Sequence, residues 1–373
     1  MGVNFAPSFA PGAAELADAI LFGALQVGAS DIHLNPAEDE LRVFYRIHGR
    51  VVDVSTVTGW AGRVPKAVAQ RIKVQAKMQL GDQRRPQDGQ LRLSSSAYGG
   101  AADLRVATIP TVQGERLAIR VIPAEGRWDR LEDSGLSYTQ LANLREALRR
   151  GGMGVVLGRV GAGKSTTLHA ILRERSVAGA TVVTIEDPVE RKVAAYQQIE
   201  VDDRAGLTFA VALRAALRQD PDVLMVGEIR DRETAEIAVR AGLTGHLVLT
   251  TMHANRVEQA AARFLELGVD ARFVHEAMRF AIWQELAEIG CPDCRGTGCL
   301  QCGGVGLLGR RAVFDVAVFT GDAPDSTVDT TVVRQSRAAL REVSCIRAAA
   351  GKRQGARVTL GRSRGTGRIR RRS

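Results

Sequence analysis

MGVVLGRVGAGKSTTLHAILRER, residues 153–175, is the stretch that decides the fold. MGVVL has the length of a buried strand, and TTLHAILRER has helical spacing. Between them, GRVGAGKS at 158–165 follows the pattern G-x-x-x-x-G-K-S. Gly161 and Gly163 let the backbone curl so that its N–H groups face phosphate oxygens, and the following helix start favours negative charge. Lys164 has the reach for β and γ phosphates, and the Ser165 hydroxyl suits Mg2+. A chance glycine turn explains less, because strand and helix both stand where the mechanism needs them. The stretch therefore predicts a nucleoside-triphosphate site.

Outward from this loop, strand and helix patterns alternate from about Leu136. TVVTI, DVLMV and HLVLTT repeat the buried-strand signature, which argues for an α/β domain with a mainly parallel sheet. Ligands of such sheets sit at the strand ends. TVVTI ends in Glu186-Asp187-Pro188, DVLMV in Gly227-Glu228, and HLVLTT leads through Met252 to His253. Hydrolysis needs one carboxylate to orient or deprotonate water and another to hold Mg2+, so Glu186 and Glu228 are candidates. One acid after a strand is ordinarily a turn residue. Acids on two strands beside a phosphate loop reverse that reading.

Upstream, residues 1–125 read as a smaller α+β domain. LRVFYRIHGRVVDV and DLRVATIPTVQGERLAIRVIP alternate as hairpins do, and VPKAVAQRIKVQAKMQL has helical spacing. LADAILFGALQVGA carries Asp18 and follows no basic segment, so a first helix is expected there rather than a signal peptide. Residues 126–135 read as a polar linker, and 136–351 as the second domain. No run approaches eighteen apolar residues, so no transmembrane helix is expected.

The sequence has 51 Lys and Arg against 41 Asp and Glu. Nine of those basic residues, and no acid, lie in KRQGARVTLGRSRGTGRIRRRS at 352–373, which leaves 42 against 41 elsewhere. The body is nearly neutral, and the basic balance belongs to a Gly/Ser/Arg tail of disordered composition.

CPDCRGTGCLQC, residues 291–302, holds four of five cysteines. CPDCRGTG and CLQCGGVG repeat one pattern, C-x-x-C-x-G-x-G. Each C-x-x-C turn aims two thiolates at one point, so Cys291, Cys294, Cys299 and Cys302 are candidate Zn2+ ligands in a small lobe over 291–306. The inner spacer RGTG is short, yet such a chain spans about 16 Å extended, enough for two knuckles around one ion. Free thiols or disulfides are the alternatives. Cys345 is read as an ordinary helix residue.

VVTIEDPVE, the long stretch AGLTFAVALRAALRQDPDVLMVGEIRDRETAEIAVRAGLTGHLVLTTMHAN and the phosphate loop together resemble the bacterial type II secretion and type IV pilus assembly ATPases. ASDIHLNP, FYRIHGRV, RRPQDGQ, IPTVQGER and CGGVGLLGRRAVFDV extend the resemblance over roughly residues 15–320. It implies a PAS-like N-terminal domain joined to a RecA-like P-loop NTPase domain, ATP and Mg2+ as cofactors, and a cytosolic homohexamer. Such a ring works on an inner-membrane platform protein and so lies peripherally at that membrane. The resemblance places Gly158, Arg159, Val160, Gly161, Ala162, Gly163, Lys164, Ser165 and Thr166 in the phosphate loop. It places Glu186 in the aspartate box, Glu228 in the Walker B motif, and His246 and His253 in the histidine box. Arg105, Arg120, Arg214, Arg218 and Arg230 fall at its functional arginines. Glu228 is preferred as the base, with Glu186 second.

The four-cysteine insert points to an export or assembly motor rather than a pilus-retraction motor, which generally lacks it. Three features depart from the family: the insert is very short, the separate N-terminal docking domain of longer members is absent, and the usual basic run before the first cysteine is replaced by IWQELAEIG, with Glu285 and Glu288. A hexameric nucleic-acid translocase is a competing reading, but the neutral body and missing aromatic–basic stripes speak against specific nucleic-acid contact. A chaperone-like zinc module leaves the phosphate loop unexplained. His33, His48, His169 and His275 are read as structural or surface residues.

Overall fold

A computed structural model of the chain describes residues 12–38, 40–57, 66–95, 100–123, 130–299, 302, 304–319 and 330–334. Cys345, residues 126–129 of the expected linker and the basic tail at 352–373 lie outside the described residues.

The N-terminal layer runs α1 (Ala13–Gln26), β1 (Ala29–Pro36), β2 (Leu41–Ile47), β3 (Arg50–Asp53), α2 (Val54–Val57), α3 (Ala67–Gln75), β4 (Gln87–Ser95), β5 (Gly100–Thr111) and β6 (Gly114–Pro123). Its sheet has the order β3-β2-β1-β6-β5-β4, and all pairings are antiparallel. One face is dry, as the alternation predicts. Leu41, Val43, Tyr45 and Ile47 of β2 point into a core with Ile20 and Leu21 of α1 and Val68 and Ile72 of α3. The Tyr45 hydroxyl donates to the Ile20 carbonyl oxygen at 2.5 Å, so burying that ring strands no polar group. Lys73 of α3 is also buried. Its Nζ lies 2.7 and 2.9 Å from the two carboxylate oxygens of Glu115.

The second layer runs α4 (Tyr138–Arg149), β7 (Gly152–Leu157), α5 (Lys164–Val177), β8 (Val182–Glu186), β9 (Gln197–Glu200), α6 (Phe209–Ala216), β10 (Val223–Glu228), α7 (Arg232–Leu243), β11 (Leu247–Met252), α8 (Gln259–Glu266), α9 (Ala271–Ala277), β12 (Met278–Gly290), β13 (Leu307–Phe319) and β14 (Thr330–Arg334). The sheet order is β14-β13-β12-β7-β11-β10-β8-β9. The strands from β7 to β9 in that order are parallel, as expected. β7 and β8 are buried along their whole length because helices cover both faces.

The sheet is nevertheless mixed. β12 joins β7 in parallel, then turns back through the antiparallel β13 and β14. The cysteine run is the tip of this long β12–β13 hairpin, and it leans on the N-terminal layer. Val305 and Leu307 belong to the first layer's apolar core. Arg50 of β3 donates to a Glu288 carboxylate oxygen at 3.0 Å and to the Val305 carbonyl at 3.3 Å. A third tie is Arg105 of β5, whose guanidinium donates to the Val189 carbonyl at 2.8 Å. No helix among the described residues is long and apolar enough to cross a membrane.

Candidate functional site

The loop after β7 is held open by backbone geometry that only glycine adopts freely. Gly161 and Gly163 have φ of 75° and 88°, and Gly163 is also the cap from which α5 starts. A methyl group at Gly158 would come within 2.4 Å of the Gln284 carbonyl oxygen, and one at Gly163 within 2.8 Å of the Gln284 side-chain nitrogen. The loop is thus packed against β12. Lys164 opens α5, and its Nζ donates to the carbonyls of Gly158 and Arg159 at 3.0 and 3.1 Å. Burial lowers the pKa of that ammonium, so phosphate charge beside it would restore what desolvation removes.

A cleft of about 170 Å3 opens beside the loop and is lined by Ser165, His169, Glu186, Glu228 and Thr251, among others. The two acids arrive by different devices. Glu186 ends β8 and is 6% exposed. Its Oε1 accepts from the Thr184 hydroxyl at 2.7 Å and from the Gln198 amide at 3.1 Å. Glu228 ends β10 after a register shift against β11, where Val226 faces Thr250 but Glu228 faces Thr251. That bulge re-aims the side chain, a common use of bulges at sites. The Thr251 hydroxyl secures it by donating to the Gly227 carbonyl at 2.8 Å. Arg230 forms an ion pair with the Glu228 carboxylate. One hydroxyl and two carboxylates in one cleft form a donor set suited to a hard divalent cation, and the glycine cradle suits phosphate.

The other expected residues divide. His253 follows β11 at the loop's edge of the sheet, whereas His246 precedes β11 at the opposite edge, about 20 Å away along six strand residues. His246 Nδ1 pairs there with the Ala241 carbonyl at 3.1 Å and the Thr244 hydroxyl at 3.2 Å. Arg214 pairs with Glu233 across α6 and α7. Arg218 lies just past α6 and donates to the Arg214 carbonyl at 3.0 Å, so it caps the helix end. Arg105 and Arg120 are cross-strand neighbours on β5 and β6. Like charges so placed repel. Asp31, opposite Arg120 on β1 and 3.6 Å from it, and the Val189 carbonyl relieve that repulsion.

His169 was not expected here, yet it lines the cleft. It follows Ser165 by four residues, which places both on one face of α5. That spacing was a usable signal. Its ring stacks on Tyr196 with centroids 6.2 Å apart. Burial lowers its pKa, opposed by Glu186.

The four cysteine sulfurs lie within 4.8 Å of one another. Three of the separations are 3.7 Å. A tetrahedron with Zn–S near 2.3 Å has edges of about 3.8 Å, so the cluster fits zinc and excludes the disulfide reading for these thiols. Burial raises the Cys302 pKa, but N–H donors from Cys299 and Gly306 and the neighbouring thiols outweigh it and bring it to about 6, which favours a thiolate ligand.

The family model "Type II/IV secretion system protein" matches residues 9–360. The type II secretion system protein HxcR of Pseudomonas aeruginosa is 39% identical over 311 residues, covering 81% of this chain and 65% of that protein. The type IV pilus assembly ATPase PilB of Myxococcus xanthus is 35% identical over 334 residues, covering 82% of this chain and 58% of that protein. The chain thus spans under two thirds of each relative's length. Among solved structures, the Legionella pneumophila ATPase DotB superposes with a TM-score of 0.66 at 24% identity, covering 93% of this chain and 89% of that one. This likeness shows the α/β fold.

Proposed function

The chain belongs to the type II/IV secretion system protein family, and from that membership we propose that it is an ATP-hydrolysing motor subunit for type II secretion or pilus-type filament assembly. The observation that carries the proposal is the convergence of Ser165, Glu186 and Glu228 on one cleft beside a glycine loop. In this reading the N–H groups of residues 158–166 and the Lys164 ammonium hold the phosphates. Ser165 and Glu186 would hold Mg2+, which would supply positive charge against the phosphates. Glu228 orients and deprotonates the attacking water, helped by its greater exposure, while Glu186 is second choice because Thr184 and Gln198 already occupy one of its oxygens. His253 senses the γ phosphate. Arg230 holds the Glu228 carboxylate in place until nucleotide arrives, and Arg214 and Arg218 fix α6 behind the site.

We assign Arg105 and Arg120 to a neighbouring subunit's nucleotide, which requires a homohexamer. The ring works at the cytoplasmic face of the inner membrane on a platform protein. The names of the relatives and the four-cysteine lobe favour export or assembly over retraction. Lys164→Ala is the direct test. It should abolish ATP hydrolysis while leaving the circular-dichroism spectrum unchanged, because it removes the charge that neutralises the β and γ phosphates. Near-normal ATPase activity in that variant would sink the reading.

A further inference from the structure

Gln284 is the side chain most directly built into the phosphate loop from outside it. It stands on β12, 1% exposed, one residue past the segment that pairs with β7 and opposite Phe314 of β13. Its Nε2 donates to the Ala162 carbonyl oxygen at 2.7 Å, and its Oε1 accepts from the Thr167 hydroxyl at 2.7 Å. The amide orientation follows from chemistry. The Ala162 carbonyl only accepts, so it must meet the NH2 end, while a hydroxyl can serve the other end.

The peptide plane makes this contact consequential. In a trans peptide the C=O of Ala162 and the N–H of Gly163 point in opposite directions. Holding the oxygen outward on Gln284 turns the Gly163 N–H inward, to the side where phosphate oxygens are bound. Through Thr167 the same amide fixes the first turn of α5, which carries Lys164 and Ser165. The main chain adds the close approach at Gly158 described above.

We propose that Gln284 is a positioning residue for nucleotide: one buried amide sets both the inward N–H of the loop and the start of α5. The proposal rests on the nucleotide reading of the site. It also makes β12 the element through which the cysteine hairpin and the phosphate loop are mechanically continuous, since Cys291 follows Gln284 by seven residues.

The test measures the affinity of the full-length protein for a fluorescent methylanthraniloyl-ADP. Gln284→Leu should weaken binding roughly ten- to a hundredfold, since a buried carbonyl and a buried hydroxyl both lose their partner. Gln284→Glu supplies a readout that a merely space-filling role would not move. At pH 8 its carboxylate faces the Ala162 carbonyl, two acceptors together, and affinity should fall. A buried carboxyl has a raised pKa. Near pH 5.5 the protonated acid can donate to Ala162 and still accept from Thr167, so affinity relative to wild type at the same pH should recover. A Gln284→Glu to wild-type ratio that stays near one across that range overturns the proposal, as does a low ratio that acid leaves unmoved. If Gln284→Leu fails to fold, Gln284→Glu alone decides. Lys164→Ala is measured alongside. Wild-type binding in that variant would indict the nucleotide reading itself, whereas a loss there with no effect at Gln284 would remove only the present inference.

Discussion

At the scale of single residues, two carboxylates compete for one role. Glu228→Gln keeps shape and loses the base, so it should bind ATP yet turn over very slowly in single-turnover measurements. If Glu186→Gln alone has that effect, the assignment of the base is reversed. His169 carries a separate prediction. Burial lowers its pKa below the ordinary value of 6.5, opposed by Glu186 and Glu190 and reinforced by Arg191. The unfolded chain therefore binds the extra proton first, and stability should fall as pH drops through 6.5 towards the lowered value. His169→Phe keeps a ring against Tyr196 and removes the titration, so its denaturation midpoint should lose that acid dependence. An unchanged slope would exclude His169 as its source. Most of the cleft was legible in the sequence because each strand end announces itself with a polar residue after an apolar run. His169 was signalled only by its spacing from Ser165, and Gln284 not at all, because an isolated polar residue inside a strand carries no sign of what lies across from it. Lys73 and Glu115 escaped for the same reason: 42 positions apart, they meet only once the first layer has folded.

Secondary-structure elements repeat that division. The strands of the parallel half were legible as short apolar runs. β12 was not, because MRFAIWQELAEIG mixes polar and apolar residues without period two, and its first half is buried by β7 on one side and β13 on the other. Tertiary placement, not local pattern, makes it a strand. The cysteine repeat was legible as a metal pattern, but its place at a hairpin tip was not. Four thiolates at tetrahedral spacing predict about one zinc per chain by elemental analysis of reduced protein prepared without chelator. Replacing Cys291 and Cys294 with serine should remove the metal and unfold the lobe, since such sites supply their own folding energy. A metal-free wild type would refute the assignment.

For the whole molecule, the proposed ring implies shared sites. Arg120 is well exposed, paired among the described residues with Asp31 at 3.6 Å, and able to swing towards a neighbour. An arginine supplied in trans is worth about 10^3–10^5 in rate where it has been measured. Mixing inactive Arg120→Ala and Lys164→Ala subunits should then recover part of the ATPase activity, because some interfaces regain both intact halves. Mixed hexamers of verified composition that stay inactive would place Arg120 outside the reaction.

Val305 and Leu307 give the hairpin a second meaning. They leave the cysteine lobe and finish the apolar core of the N-terminal layer, beside α1 and the six-stranded sheet. A core completed by a segment more than 180 residues downstream of β6 cannot close until that segment has been made. The N-terminal layer is thus synthesised well before the segment that seals it. Until β13 arrives, its edge stays sticky, which leaves the emerging chain open to aggregation.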